Sequence, residues 1–138
     1  MAIQNIFVVG AGLMGSGIAQ NAITSGFDVT LNDKQQAAVE RAQVVIKKAL
    51  AREVSKGRMT QEAMDEALTH LTVDSGMEGA KKADLVIEAI YENLEAKQAV
   101  FTELEDLCHA KTIFASNTSS IYLTALAAAT KRPSRVVG

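Results

Sequence analysis

The composition of this chain excludes more than it suggests. Among its 138 residues a single cysteine, Cys108, cannot close an internal disulfide, which points to a reducing compartment. Neither sign of charge dominates: 14 basic residues against 16 acidic leave a net charge of −2, which argues against a general nucleic-acid or anionic-membrane surface. No run of about 18 apolar residues exists, so no membrane span is expected. The opening Met1-Ala2-Ile3-Gln4 has no basic segment ahead of an apolar stretch, so no signal peptide is expected either. No clustering of ligand side chains suggests a metal. Hydrophobic residues at 48% and charged residues at 22% are ordinary for a soluble globular protein, and the length suits one domain with a sizeable core. The expectation is one soluble cytoplasmic α/β domain over residues 1–138, with no nucleic-acid or membrane partner.

What is present begins with GAGLMGSG, Gly10 to Gly17. It follows the apolar run Ile6-Phe7-Val8-Val9 and leads into a helical pattern, the context in which a G-x-G-x-x-G spacing carries meaning. Gly10 allows the tight turn off the strand. Gly12 lets backbone approach a pyrophosphate with no Cβ in the way, and Gly15 lets the helix pack close to the strand. The helix N-terminus then offers unpaired N–H groups to the phosphates. Gly10, Ala11, Gly12, Leu13, Met14 and Gly15 are therefore the candidate cofactor cradle.

The helix after the loop spans Met14 to about Ser25, with Gly26 as its C-terminal cap. Phe27 to Leu31 reads as a second strand ending in Asn32-Asp33. Asp33 lies about 20 residues past the loop, where a strand-end carboxylate accepts hydrogen bonds from an adenosine ribose. A carboxylate there repels a 2′-phosphate, and the only following cation is Lys34, so NAD is expected over NADP. The plainer reading is a solvated turn aspartate.

Strand-like runs alternate with helical patterns along the rest of the chain, which implies parallel strands joined by helical crossovers. A long helix is expected from about Gln35 to Ser55, on the three- and four-residue spacing of Ala38, Ala42, Val45, Ile46, Ala49 and Leu50. Lys56-Gly57-Arg58 breaks it. Thr60 caps a second helix whose face carries Met64, Ala67, Leu68 and Leu71. Further strands are expected at Leu71 to Val73, Asp84 to Glu88, Thr112 to Ala115 and Arg135 to Val137. Helices are expected from Leu94 to His109 and from Leu123 to Ala129. The fold class is α/β: a Rossmann-type doubly wound parallel sheet with an extra helix pair after the second strand.

Two more polar segments follow strand ends on the glycine-loop side, where ligands of open parallel sheets bind. In Glu88-Ala89-Ile90-Tyr91-Glu92, Glu92 can accept from a ribose hydroxyl. Lys97 can pair with Glu92 or reach the ribose or carboxamide end. Helix-terminal charge with a surface ion pair is the alternative. In Ala115-Ser116-Asn117-Thr118-Ser119-Ser120, Asn117 and Ser119 suit a nicotinamide amide or a substrate oxygen. The alternative is a turn with Ser120 as the next N-cap.

GAGLMGSGIAQ, LND, VIEAIYENLEAK and ASNTSS occur in that order, and together they resemble the amino-terminal domain of the 3-hydroxyacyl-CoA dehydrogenases, the bacterial 3-hydroxybutyryl-CoA type in particular. The resemblance spans essentially the whole chain. It implies that Gly10 to Gly15 hold the NAD pyrophosphate and Asp33 the adenosine ribose. Ala89, Glu92 and Lys97 join the cofactor set, the latter two near the nicotinamide ribose. It further implies that Asn117 lies by the nicotinamide and that Ser119 touches both cofactor and the substrate's 3-oxygen. Lys56 matches a position that contacts coenzyme A. Around it, Lys47, Lys48, Arg52 and Arg58 form a basic stretch that can also be a solvated helix face.

The same resemblance implies a catalytic histidine, paired with a glutamate, in a segment that starts at the glycine matching Gly138. The chain stops before it, and before a helical domain that forms a dimer and closes the substrate site. His70 and His109 precede strands and are expected at the amino ends of the sheet, out of reach of a substrate hydroxyl. Both, like Cys108 beside His109, read as helix C-terminal residues. The chain is thus expected to bind cofactor with little turnover, as part of an enzyme that interconverts 3-hydroxyacyl-CoA and 3-oxoacyl-CoA with NAD(H). A stand-alone NAD(H)-binding or redox-sensing module is the alternative.

Overall fold

The computed structural model describes residues 2–116, 125–128 and 130–138. Strand β1 (Asn5–Val9) leads through the glycine loop to helix α1 (Leu13–Thr24) and strand β2 (Asp28–Asn32). The helix pair α2 (Gln36–Ser55) and α3 (Gln61–Thr69) then precedes β3 (Leu71–Asp74). A 3-10 turn over Glu78–Lys82 leads to β4 (Leu85–Glu88), α4 (Leu94–Leu107), β5 (Ile113–Ser116) and the short β6 (Val136–Val137). Residues 125–128 are helical; the rest of the expected Leu123 to Ala129 helix lies outside the described residues, apart from those four.

The six strands are all parallel and stand in the order β3-β2-β1-β4-β5-β6. That order is the doubly wound arrangement for dinucleotides, with its reversal point between β1 and β4. Alternation along β1 sends its side chains to opposite faces. Ile6 and Val8 join a core with Ile23, Leu31, Val39, Ile46 and Leu50 under α1, α2 and α3. Phe7 and Val9 join the other core, with Val86, Phe101, Leu104 and Phe114 beneath α4. β1 is therefore buried on both faces, and its carboxyl end is fixed in position.

The caps follow local chemistry. Thr60 Oγ1 accepts from the Ala63 N–H at 3.0 Å, as expected for α3, and Asn93 Oδ1 accepts from Ala96 N–H at 2.9 Å to start α4. Gly26 follows the end of α1, with Phe27 N–H donating to the Ala22 carbonyl at 3.1 Å. α4 ends at Leu107 instead of reaching His109: Cys108 is extended, and Arg132 packs against the carbonyls that follow. The Arg132 guanidinium pairs with Glu105 at 3.2 Å, donates to the carbonyls of Cys108, His109 and Thr112, and lies 5.0 Å over the Phe114 ring.

Candidate functional site

The carboxyl ends of β1, β2 and β4 open onto one cleft of about 910 Å³, inside the range of about 300–1,000 Å³ usual for small-molecule sites. Gly10, Ala11, Gly12 and Leu13 line it, with Asn32, Asp33, Ala89 and Tyr91. The glycine loop is held from both sides: Gly10 N–H donates to the Asn32 carbonyl at 2.7 Å, and Ala89 N–H to the Val9 carbonyl at 2.8 Å.

The three glycines of the loop stand in different surroundings. Gly10 sits at φ +106, and a Cβ there would stand 2.6 Å from the Ala89 carbonyl oxygen. A Cβ on Gly15 would overlap the Gly10 carbonyl oxygen. A Cβ on Gly12 would meet nothing within 4 Å. The second glycine thus borders open cleft at the start of α1, where Gly12 provides no side-chain cap and no acidic residue occupies the first turn. Unpaired amide groups at such a terminus favour an anion. Leu13 is 90% exposed and Met14 54%, an unusual state for large apolar side chains next to a cleft.

Asp33 follows β2 directly. Its Oδ2 accepts from the Ala11 N–H at 3.1 Å and its Oδ1 from the Gln35 N–H at 3.0 Å. A carboxylate has about four acceptor positions, so capacity for hydroxyl donors is left after these two bonds. The bond to Ala11 adds a role that spacing did not reveal: the carboxylate ties the end of β2 to the glycine loop.

The pairing of Lys97 differs from the expected one. Its side chain is wholly buried and its Nζ donates to both oxygens of Glu88, at 2.7 and 2.9 Å, rather than pairing with Glu92. Glu88 is equally buried. It also accepts from the Ile90 N–H at 2.8 Å and from the Ser116 hydroxyl. Four residues from β4, the loop after it, α4 and β5 are thus locked together behind the cleft. Glu92 is exposed on the loop that precedes α4. Sequence reasoning passed over Glu88 as a strand end; the signal was a carboxylate closing an otherwise apolar strand, on a sheet position that faces helix α4. Asn117, Ser119 and Ser120 lie outside the described residues.

Comparison with known proteins decides what the cleft belongs to. Residues 5–138 match the family described as "3-hydroxyacyl-CoA dehydrogenase, NAD binding domain". The chain belongs to that family. It is 45% identical over 138 residues to the probable 3-hydroxybutyryl-CoA dehydrogenase of Bacillus subtilis, covering all of this chain and 48% of that protein. With the 3-hydroxybutyryl-CoA dehydrogenase of Clostridioides difficile it shares 40% identity over 98% of this chain and 48% of the other. The crystal structure of Mycobacterium tuberculosis FadB2 superimposes with a TM-score of 0.94 at 41% identity, over 99% of this chain and 48% of that one. The chain therefore spans about half the length of these relatives.

NAD is the cofactor of this dehydrogenase domain family, and the residues present fit it: a cradle that a Cβ on Gly12 would intrude upon, a bare helix terminus for the pyrophosphate and an acid at the end of β2. Lys56 is not brought to that cleft. It caps the far end of α2, and twenty helical residues, about 30 Å of axis, separate it from the Asp33 end. Of the basic stretch around it, Arg58 is paired with Glu53 at 2.6 Å.

Both histidines sit at the opposite edge, as their place before strands implied. His70 Nδ1 lies 2.7 Å from Asp28 Oδ1 at the start of β2, and Nε2 3.4 Å from Glu66. His109 Nε2 is 3.9 Å from Asp84. Cys108 is buried, its Sγ 3.4 Å from the Ala80 carbonyl, and burial pushes its thiol up to about 11, so it offers no thiolate. The hydrogen bond that the His70 ring donates to Asp28 raises the His70 pKa above its ordinary 6.5, and the same contact lowers that of Asp28 below 3.8. The stability His70 contributes is complete below 6.5 and is lost as pH rises through its higher folded value. Asp28 contributes above 3.8 and loses its part as pH falls through its lower folded value. The Tm deficit of His70→Ala should therefore shrink between mildly acidic and alkaline pH. A deficit constant across thermal melts over that range would leave the ring a packing role alone.

Proposed function

We propose that this chain is the cofactor-binding half of an enzyme that interconverts 3-hydroxyacyl-CoA, 3-hydroxybutyryl-CoA foremost, and 3-oxoacyl-CoA with NAD(H). The observation that carries this reading is the open Gly12 position at the bare N-terminus of α1, beside Asp33, in a chain whose relatives bear those enzyme names. Gly10, Ala11, Gly12, Leu13, Met14 and Gly15 form the pyrophosphate cradle, and Asp33 accepts from the adenosine ribose. Ala89 and Glu92 belong to the loop facing the nicotinamide half. Lys97, sequestered with Glu88, contributes through the residues it holds in place.

When bound, NAD supplies the hydride acceptor. Asn117 orients the nicotinamide, Ser119 orients the substrate's 3-oxygen, and Lys56 contacts coenzyme A. The general base is a histidine outside these 138 residues, in the segment that begins at the glycine matching Gly138, and a further helical domain forms the homodimer of the whole enzyme in the cytoplasm. Holding the reacting carbon beside the cofactor is where such a domain contributes most to rate. The isolated chain then binds NADH without appreciable turnover.

Paired titration with NADH and NADPH tests this, and the absence of tryptophan leaves nicotinamide fluorescence easy to read. Saturable NADH binding, much weaker NADPH binding and no acetoacetyl-CoA-dependent NADH oxidation above blank are expected. Turnover by the chain alone would overturn the missing-base assignment, and binding of neither nucleotide would overturn the cofactor site.

A further inference from the structure

The wall of the cleft beside Asp33 carries more positive charge than an NAD site needs. Lys34 and Arg41 both line it, together with Ala38, Ala42 and Val45. Residues 38, 41, 42 and 45 follow the three- and four-residue spacing of one helix face, so α2 presents Arg41 toward the cleft from its second turn. Ala38 and Ala42 on that face are buried and small, which leaves room above them for the guanidinium. Both cations are exposed. Neither is engaged in an ion pair among the described residues. The other acid that lines the cleft, Glu103, belongs to α4 on the far side of the sheet's reversal point. Asp33 is thus the one acid among the described residues that line this wall; Asp74, at the neighbouring end of β3, holds its carboxylate against the Gly76 N–H at 3.0 Å.

We propose that Lys34 and Arg41 form a latent 2′-phosphate subsite that Asp33 alone keeps closed. Discrimination between NAD and NADP then rests on one carboxylate instead of on the shape of the pocket. The inference depends on the ribose of a dinucleotide lying at Asp33, as proposed above. A group attached to the 2′-oxygen next to Asp33 enters the space bounded by Lys34 and the first turns of α2. With Asp33 ionised, one negative charge opposes the phosphate at closest range while two positive charges stand further back. With that charge removed, both cations act on the phosphate unopposed, and an arginine offers it a two-pronged hydrogen bond.

The test is the ratio of NADPH to NADH dissociation constants for the 138-residue chain. A ratio cancels the disturbed bond to the Ala11 N–H, which weakens both nucleotides alike. The loss of the ribose bond to NADH is common to every Asp33 variant, so the cations are read from the change on adding Arg41→Ala and Lys34→Ala. Asp33→Ser should lower the ratio by about 100-fold, the scale of exchanging a charge repulsion for a charge-assisted hydrogen bond. Asp33→Asn, which keeps an acceptor for the loop, should shift it the same way. Adding Arg41→Ala to Asp33→Ser should return about tenfold, and adding Lys34→Ala should return most of the remainder. NADPH binding by Asp33→Ser should also weaken with salt more steeply than NADH binding.

An unchanged ratio in both Asp33 variants, or a ratio in Asp33→Ser that does not rise when Arg41→Ala and Lys34→Ala are added, would overturn the subsite while NADH binding by the wild type leaves the cofactor reading intact. If the wild type binds neither nucleotide, both readings fall together.

Discussion

Lys97→Ala is expected to destabilise the chain by about 3–5 kcal/mol, the cost of stranding one partner of a fully buried ion pair. Glu88 has no exposure through which water could replace the ammonium, and its two oxygens already hold the Ile90 N–H and the Ser116 hydroxyl. Glu88→Gln should fall in the same range, since it keeps the acceptor for Ile90 and removes the negative charge that Lys97 Nζ meets with two contacts. The double variant Glu88→Leu/Lys97→Met should recover much of the loss, because apolar replacement of a buried pair is frequently neutral. Urea denaturation of the three variants measures this. Single-variant losses below about 1 kcal/mol, the range of exposed pairs, would mean that water reaches the pair in solution. The consequence extends to the cleft: Glu88 bonds the backbone of Ile90, and Ala89 and Tyr91 on either side line the cofactor space.

The ion pair also marks how far the sequence can be read. The elements whose cause is local were legible: the glycine loop between strand and helix, the Thr60 cap, and the apolar run Ile6-Phe7-Val8-Val9 that makes up most of β1. The parallel pairing of the strands followed from strand-like runs alternating with helical crossovers. What escaped depends on contacts between residues distant in the chain. Lys97 is nine residues from Glu88 and five from Glu92, and a helix-start lysine close to an exposed acid suggests a surface pair. Only the packing of α4 on the sheet turns Lys97 inward to the strand. Asp33 was placed correctly at its strand end, but its bond to Ala11, twenty-two residues earlier, required the loop's actual path. Arg132, between a lysine and a proline, gave no sign that it would pack against the carbonyls that follow α4.

Two glycine substitutions three residues apart should separate binding from folding, and they form the sharpest test of the cleft. Gly12→Val should abolish measurable NADH binding and leave Tm nearly unchanged. Gly12 has φ −77 and ψ −163, an extended conformation open to any residue, and the added side chain meets no protein atom at its Cβ. Its Cβ opens onto the space assigned to the pyrophosphate. Gly15→Ala adds far less volume yet should do more damage, because its Cβ collides with the Gly10 carbonyl oxygen. That oxygen belongs to a loop pinned by the Asn32 carbonyl and crowded by Ala89, so relief requires α1 to move off β1. Overpacking of this kind costs about 1–3 kcal/mol or more, and Tm should fall along with NADH binding. Thermal melts and NADH fluorescence on the same two samples read both quantities. Wild-type NADH affinity in Gly12→Val would show that no phosphate passes that point. A wild-type Tm in Gly15→Ala would show that α1 and the glycine loop yield more readily than their packing implies, and the cradle would then be a flexible surface and not a preformed one.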